Sequence, residues 1–391
     1  MEKVVLAYSG GLDTSCVIPW LKDRGYQTIA FCANLGQGDN LALIKKKALS
    51  SGASKVYCLD VQNEFIMDYV FPALKAGALY EGKYVLACAL SRPLIAKHQV
   101  NIARKEKAGG LVHGCTGKGN DQVRFETTFR LLAPGMEIIA PLRIWEFKTR
   151  EEEIDFAKSR RIPVPVTKKS PYSIDTNIYG RAIECGVLED PWKEPPEDVY
   201  ALTSDPRQSP AQPGYVTITF DNGIPTKING KTYGPVALVQ ALNKIGGRHG
   251  VGRMDMIENR LVGIKSREIY ENPAGTMLHT ALNDLESLVL DRETMRLKAV
   301  LSLKYAELVY NGLWETPLKQ QLDAYFSKLH ERSSGTVRLK LYKGHCTVVG
   351  RKSPKSRYKQ KLATYGKGDQ FDQKLAEGFV KLWGMPFISG Q

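Results

Sequence analysis

Ten consecutive residues, Leu6-Ala7-Tyr8-Ser9-Gly10-Gly11-Leu12-Asp13-Thr14-Ser15, narrow the folds open to this chain more than any other feature. Val4–Tyr8 reads as a buried strand and Asp13–Lys22 as a helix, so the two glycines occupy a strand-to-helix turn. Glycine there permits torsions that other residues avoid. The amides of Gly10, Gly11 and Leu12 can then converge as an anion nest, at which the helix aims its positive end. Ser9, Thr14 and Ser15 add hydroxyl donors, and Asp13 can address a metal bound to phosphate. Such an array suits a pyrophosphate leaving group, whose negative charge grows as it departs. Helix capping would explain Asp13 alone, but not two glycines flanked by three hydroxyls. Rival nucleotide motifs fail. Gly230-Lys231-Thr232 resembles the tail of a P-loop, but Pro225 stands where its first glycine belongs, and no Gly-x-Gly-x-x-Gly follows a strand.

The surrounding pattern predicts α/β architecture. Strands are expected at Thr28–Cys32, Lys55–Leu59, Leu111–His113 and Ile138–Leu142. Helices are expected after Asp39 and around Glu64–Lys75, Leu94–Lys107 and Arg150–Ser159. Together these make residues 1–165 a doubly wound parallel-sheet nucleotide-binding domain. Ile162-Pro163-Val164-Pro165 marks its boundary, because closely spaced prolines resist helix and central strand alike. Residues 166–367 read as a second, α+β domain. Tyr215–Phe220 alternates, Asn229-Gly230 signals a hairpin turn, and three helical patterns run between Pro235 and His330, the first stopped by Gly246-Gly247. Thr336–Tyr342 and Cys346–Gly350 pair through Lys343-Gly344. Residues 368–391 form a C-terminal helical arm. Its Asp369–Trp383 segment sets Phe371, Leu375, Phe379, Leu382 and Trp383 on one face, which would pack on its own domain or on another subunit.

A chain of 391 residues exceeds what one core usually serves, in keeping with two domains. The amino terminus turns polar too soon for a signal peptide, and no apolar run is long enough to span a bilayer. The seven cysteines are scattered without a Cys-x-x-Cys, which speaks against a disulfide framework or structural zinc. A cytoplasmic location is therefore expected. The formal charge of +14 favours a polyanionic partner. Much of it lies in Arg338–Lys367, with ten Lys or Arg and no acid. This stretch reads as a solvated strand and loop, with an RNA-contacting patch as the sharper alternative.

A second block, His113-Gly114-Cys115-Thr116-Gly117-Lys118-Gly119-Asn120-Asp121-Gln122-Val123-Arg124-Phe125-Glu126, puts an amide, a carboxylate and a planar cation within five residues. That mixture suits a zwitterionic amino acid, Asp for its ammonium and Arg for its carboxylate. Ser-Gly-Gly-Leu-Asp-Thr-Ser resembles the pyrophosphate loop of the N-type ATP pyrophosphatases, which cleave ATP between the α and β phosphates. The second block joins Gly36-Gln37-Gly38, Tyr84, Pro171-Tyr172-Ser173, Gly246-Gly247-Arg248-His249-Gly250-Val251-Gly252-Arg253 and Glu258-Asn259-Arg260 in resembling the argininosuccinate synthase family, from about residue 3 to the final helix.

The resemblance implies ligation of citrulline to aspartate through citrullyl-AMP, with release of pyrophosphate and AMP. It implies ATP contacts at Ala7, Tyr8, Ser9, Gly10, Gly11, Leu12, Asp13, Thr14, Ser15, Ala33 and Gly114. Tyr84, Asn120, Arg124, Ser173, Glu258 and Tyr270 would hold citrulline, and Thr116, Asn120 and Asp121 aspartate. Taken alone, Tyr84 and Tyr270 read as aromatic packing and Glu258 as a surface ion pair. Mg²⁺ would arrive with the ATP phosphates, with no other cofactor and no metal bound by the protein alone. The family forms homotetramers, and the resemblance implies a synthetase and oligomerisation role for residues 166–367. Neither nucleic acid nor membrane is expected as a partner. No side chain is nominated as general base. Ala89 and Ala182 depart from the family, which often has serine at both. A tRNA-modifying enzyme with the same ATP chemistry is the alternative.

Overall fold

The computed structural model describes residues 1–147, 149–163 and 172–388. Strand β1 (Glu2–Ala7) leads through the glycine turn into helix α1 (Leu12–Asp23), and β2 (Tyr26–Asn34), α2 (Leu41–Ser50) and β3 (Lys55–Asp60) follow. The chain returns through helical turns at 62–75, with a π-helical stretch at Phe65–Val70, and through the long α3 (Ala87–Glu106). Then come β4 (Gly110–Val112), α4 (Asp121–Leu132), β5 (Glu137–Ile139) and α5 (Arg150–Ser159). The five strands form one parallel sheet in the order β3-β2-β1-β4-β5. This is the expected doubly wound order, which reverses direction between β1 and β4. In such sheets the crevice outside the carboxyl ends at the reversal is where ligands bind.

Helix α4 is the main departure in this half, since its residues read as a ligand loop. Its polar first turn masks a pattern in which Phe125 and Phe129 are buried. The expected boundary at Ile162–Pro165 runs into residues 164–171, outside the described residues.

Beyond it, the chain builds two antiparallel sheets. The first takes β6 (Ser173–Asn177), β7 (Gly180–Glu184), β11 (Arg253–Asn259) and β12 (Lys265–Glu271) in the order β11-β12-β7-β6. None of these strands was legible. They are short or charged, and β11 and β12 interrupt the region read as three helices. The second sheet takes β8 (Gly214–Asp221), β9 (Ile224–Ile228), β10 (Lys231–Thr232), β13 (Gly335–Tyr342) and β14 (His345–Lys352) in the order β10-β9-β8-β13-β14. Both expected hairpin turns form. Asn229 and Gly230, then Lys343 and Gly344, all take positive φ, the geometry that matches the twist of the flanking strands.

Four helices, not three, pack here: α6 (Pro235–Arg248), α7 (Pro273–Val289), α8 (Arg292–Tyr310) and α9 (Pro317–His330). Helix α6 ends at Arg248, one residue past the expected stop at Gly246-Gly247, and both glycines are buried. A Cβ on Gly247 would lie 2.1 Å from the Leu202 carbonyl oxygen, so the glycine also serves close packing. One continuous apolar core extends from Val5 and Phe31 through Phe129 and Tyr179 to Leu285 and Leu341, joining both halves.

The final helix α10 (Leu375–Gly384) buries none of its residues. Its Leu375, Phe379, Leu382 and Trp383 are each more than 60% exposed. Of the two expected fates of this segment, packing on its own domain is not the one adopted. Among the described residues no helix is long and apolar enough to cross a membrane.

The two halves of the second region are pinned by a fully buried carboxylate. Glu271 on β12 accepts the backbone N–H groups of Ala201, Leu202 and Thr203 at 2.9 Å each and the Thr203 hydroxyl at 2.7 Å. It also meets the Arg181 guanidinium at 3.0 Å. Removing one partner of such a set leaves buried donors and a charge without compensation. Glu271→Ala is therefore expected to cost about 3–5 kcal/mol, read from urea unfolding with the slope unchanged; a loss below about 1 kcal/mol would contradict this role.

Candidate functional site

A cleft of about 710 Å³ opens where the parallel sheet reverses, between the carboxyl ends of β1, β2 and β4 and one face of the four-stranded sheet. The strand period explains that face. Register pairs Ser173 with Glu184, Asp175 with Ala182, Ala182 with Tyr270, Met256 with Glu268 and Glu258 with Ser266. Paired residues share a face and so do residues two apart. Ser173, Asp175, Ala182, Glu184, Glu258, Glu268 and Tyr270 thus all point into the cleft, and all line it.

At the other end, the phosphate loop is held by its own hydroxyls. Gly10 adopts φ +80°. Ser9 Oγ accepts from the Gly11 N–H at 3.3 Å and lies 3.1 Å from Thr14 Oγ1. Ser15 Oγ donates to the Gly11 carbonyl at 2.6 Å and meets the Tyr8 hydroxyl at 3.0 Å. No side chain caps α1, so the orphan amides of its first turn are left for a ligand. Lys47 on α2 donates to the Gly10 carbonyl at 2.6 Å.

Ala7, Tyr8, Ser9, Gly11, Thr14, Ala33 and Gly114 line the cleft, whereas Gly10, Leu12, Asp13 and Ser15 stand behind it. Leu12 packs into a small core with Ala157 and Ile162. Asp13 hydrogen-bonds Glu153 of α5, whose carboxyl is pushed up by burial and then by the Asp13 charge. Gly114 follows β4 and crosses α1 so closely that a Cβ there would lie 2.8 Å from Thr14 Cγ2.

Helix α4 supplies the middle of the cleft. Asn120 at its N-cap makes no capping bond. Its Oδ1 accepts from the Leu261 N–H at 2.9 Å, and its Nδ2 donates to the Tyr310 hydroxyl at 2.7 Å. One turn of helix places Arg124 beside Asp121, with Nη1 to Oδ1 at 2.8 Å. Arg92 of α3 donates from Nε to Asp121 Oδ2 at 2.9 Å and from Nη2 to Asp175 Oδ2 at 2.5 Å. Burial would raise the Asp121 carboxyl, but Arg92 and Arg124 outweigh it and hold it at about 2. The simple pairing of Asp121 with a ligand's ammonium and Arg124 with its carboxylate is thus modified, because the two side chains already pair with each other.

Glu258 is buried, and its two oxygens accept from the hydroxyls of Tyr310 at 2.7 Å and Tyr270 at 2.8 Å. It is no surface ion pair. Burial raises its carboxyl, against the pull of the two phenols, Arg124 and Arg260. Tyr270 also stacks on Tyr84 at 4.0 Å between centroids. The Tyr84 hydroxyl accepts the Cys88 N–H at 2.9 Å, so both rings pack and carry polar duties. Beside them Arg260 reaches Glu184 and Glu268, and burial and then Glu184 raise the Glu268 carboxyl. Thr116 lines the mouth, Ala182 lines the wall, and Ala89 is buried in α3.

Arg92, Asp175, Glu268 and Tyr310 were not foreseen. Each reaches the site across more than 25 residues of sequence or from an unpredicted strand, where no local spacing announces it. Several charges of the basic stretch prove to be occupied. Arg351 makes two bonds to Asp284 at 2.5 and 2.8 Å, Arg357 faces Asp291 at 3.8 Å, and Lys343 donates to the Arg207 and Ser209 carbonyls.

Residues 3–163 match the family model described as the arginosuccinate synthase N-terminal HUP domain, and residues 172–388 that of the arginosuccinate synthase C-terminal domain. The chain is 57% identical over 385 residues to the argininosuccinate synthase of Caldanaerobacter subterraneus subsp. tengcongensis, covering 98% of this chain and 94% of that protein. It is 56% identical over 386 residues to that of Carboxydothermus hydrogenoformans, covering 98% and 96%. With that of Desulfitobacterium hafniense it shares 54% over 387 residues, covering 99% and 96%.

The contact of Gly114 with Thr14 gives a two-residue test of the phosphate end. Gly114→Ala is expected to weaken nucleotide binding roughly tenfold, as overpacking by a methyl typically costs about 1–3 kcal/mol. Adding Thr14→Ser, which removes Cγ2, is expected to restore most of it in equilibrium titration with ATP. An unaltered single variant, or no recovery in the double, would contradict the close approach.

Proposed function

The chain belongs to the argininosuccinate synthase family, and we propose on that footing that it ligates citrulline to aspartate at the expense of ATP, giving argininosuccinate, AMP and pyrophosphate. The observation that carries this reading is the convergence, on one cleft, of a backbone-lined phosphate cradle with two amino-acid-recognising sets. ATP lies with its phosphates at Ala7–Ser15 and its base toward Ala33, passing Gly114. Tyr84, Asn120, Arg124, Ser173, Glu258 and Tyr270 take citrulline; Thr116, Asn120 and Asp121 take aspartate. Gly10, Leu12, Asp13 and Ser15 contribute by shaping the loop that the others line. Arg351, Arg357 and Lys343 of the basic stretch are engaged within the chain, which favours the small-molecule reading over the tRNA-modifying alternative.

A ureido carbon is a poor electrophile and its oxygen a poor leaving group. Attack of that oxygen on the α-phosphorus forms citrullyl-AMP and expels pyrophosphate toward the amides at the start of α1. The aspartate amine then attacks the activated carbon and expels AMP. Each half depends on holding reactants in line and on meeting charge with fixed dipoles. Mg²⁺ bound to ATP would neutralise the phosphates.

The division into residues 1–165, 166–367 and 368–391 forms part of this proposal, supported by two family segments that part between residues 163 and 172. So do a cytoplasmic location and a homotetramer in which α10 docks on a neighbour, supported by the exposure of its whole apolar face. Deleting residues after Lys367 is expected to lower the native mass seen by light scattering. An unchanged mass would remove the arm from the assembly.

With Mg-ATP, pyrophosphate release is expected to require citrulline, and argininosuccinate to appear once aspartate is added. Folded, ATP-binding protein that releases no pyrophosphate with citrulline would overturn the assignment.

A further inference from the structure

We infer that Tyr310 is a positioning residue for the amino-acid end of the cleft, its single hydroxyl setting both Asn120 and Glu258; the inference rests on the proposed citrulline and aspartate reading. Tyr310 lies at the end of α8, 52 residues from Glu258 and 190 from Asn120 in sequence, and it does not itself line the cleft. Its hydroxyl accepts from Asn120 Nδ2 at 2.7 Å and donates to Glu258 Oε1 at 2.7 Å. A phenol can accept and donate at once, so the two bonds polarise one another.

The acceptance fixes the Asn120 amide. With Oδ1 taken by the Leu261 N–H and one Nδ2 hydrogen by Tyr310, one N–H remains for substrate. The Tyr310 carbonyl also accepts from Arg124 Nε at 3.0 Å. Three groups assigned to citrulline therefore hang on one residue of the second region. The ring cannot swing away. Tyr80 stacks on one face at 3.5 Å with a 3° tilt, and the Arg124 guanidinium lies 4.9 Å from the ring centroid. Tyr80 in turn donates to the Asn259 carbonyl at 2.7 Å, next to Glu258.

Glu258 must be ionised to pair with an ammonium. Burial works against that, and the groups around it set the balance. Tyr310 and Tyr270 donate to it, Arg124 and Arg260 attract it, and the neighbouring Glu268 carboxyl, the half-buried Tyr80 hydroxyl and the buried Tyr84 hydroxyl stand close by. Without the Tyr310 hydroxyl the carboxyl rises further, so its ionisation requires higher pH. Citrulline binding that depends on the carboxylate is then lost at a higher pH as the solution is acidified.

The test is Tyr310→Phe in the full-length enzyme, which keeps the ring for Tyr80 and the carbonyl for Arg124. The KM for citrulline is expected to rise roughly ten- to a hundredfold, with the KM for ATP unchanged. The acid limb of the kcat/KM profile for citrulline should move to higher pH. Tyr305→Phe removes a buried hydroxyl of the same helix, bonded to Asp323 at 2.7 Å, and should move neither quantity. Glu258→Gln, which preserves an acceptor for Tyr310, should abolish the limb altogether, and it gives a reading even if Tyr310→Phe folds poorly. A Tyr310→Phe enzyme with wild-type citrulline KM and limb, or a limb that survives in Glu258→Gln, overturns the inference while leaving the function intact. Wild-type enzyme with no citrulline-dependent pyrophosphate release overturns both.

Discussion

Asp121 sits between two guanidiniums, and that arrangement holds the cleft together. Arg92 comes from the long helix α3, Asp121 and Arg124 from the first turn of α4, and Asp175 from the four-stranded sheet. Burying any one of these charges alone would be strongly unfavourable, and burying them as an alternating set is tolerable only when the geometry is good. The two halves of the chain therefore have little freedom in how they meet, because a shift that separates Arg92 from Asp175 strands a charge. The same contacts keep Asp121 ionised across the whole physiological range and aim Arg124 along the floor of the cleft. Position and protonation state are set by one network.

The two ends of the cleft are built on different principles. The end proposed to hold the phosphates is made mostly of backbone, with amides at a helix start, hydroxyls of the next few residues and two glycines that let chain approach chain. Its parts are contiguous. The end assigned to the amino acids is made of side chains from α3, α4, β6, β7, β11 and β12, with Tyr310 of α8 one hydrogen bond behind them, brought into register by strand pairing and an apolar core that spans both halves.

That difference decides what could be read from sequence. The strand-to-helix turn at Leu6–Ser15 was legible because its geometry is local, and so were the parallel strands, whose apolar runs are continuous. The hairpins at Asn229-Gly230 and Lys343-Gly344 were legible because the turn itself demands positive φ. Helix α4 was misread as a loop because Asn120, Asp121 and Arg124 drew attention to chemistry and away from Phe125 and Phe129 four residues apart. Strands β6, β7, β11 and β12 were missed because their cleft-facing positions carry mostly Ser, Asp, Glu and Tyr while the opposite face mixes isoleucines with charged residues, so no clean apolar alternation shows. Glu258 and Tyr270 entered through family resemblance; local pattern alone gave surface and packing. Arg92 and Tyr310 carry no local signal at all.

The division also fits the proposed chemistry. Expelling pyrophosphate asks for donors that are always present and need no titration, which a helix start and fixed amides provide. Recognising a zwitterion asks for charges of both signs at defined separations, which only side chains can offer, and side chains need other side chains to hold them. Hence the amino-acid end accumulates supporting residues such as Arg92, Arg260 and Tyr310, while the phosphate end closes with a few hydroxyls and the Lys47 bond to Gly10. In-line transfer tolerates little displacement of the ureido oxygen from the α-phosphorus. Residues that do not touch the reacting atoms can therefore set where those atoms lie, and Arg92 and Tyr310 stand one hydrogen bond behind the groups proposed to hold the amino acids.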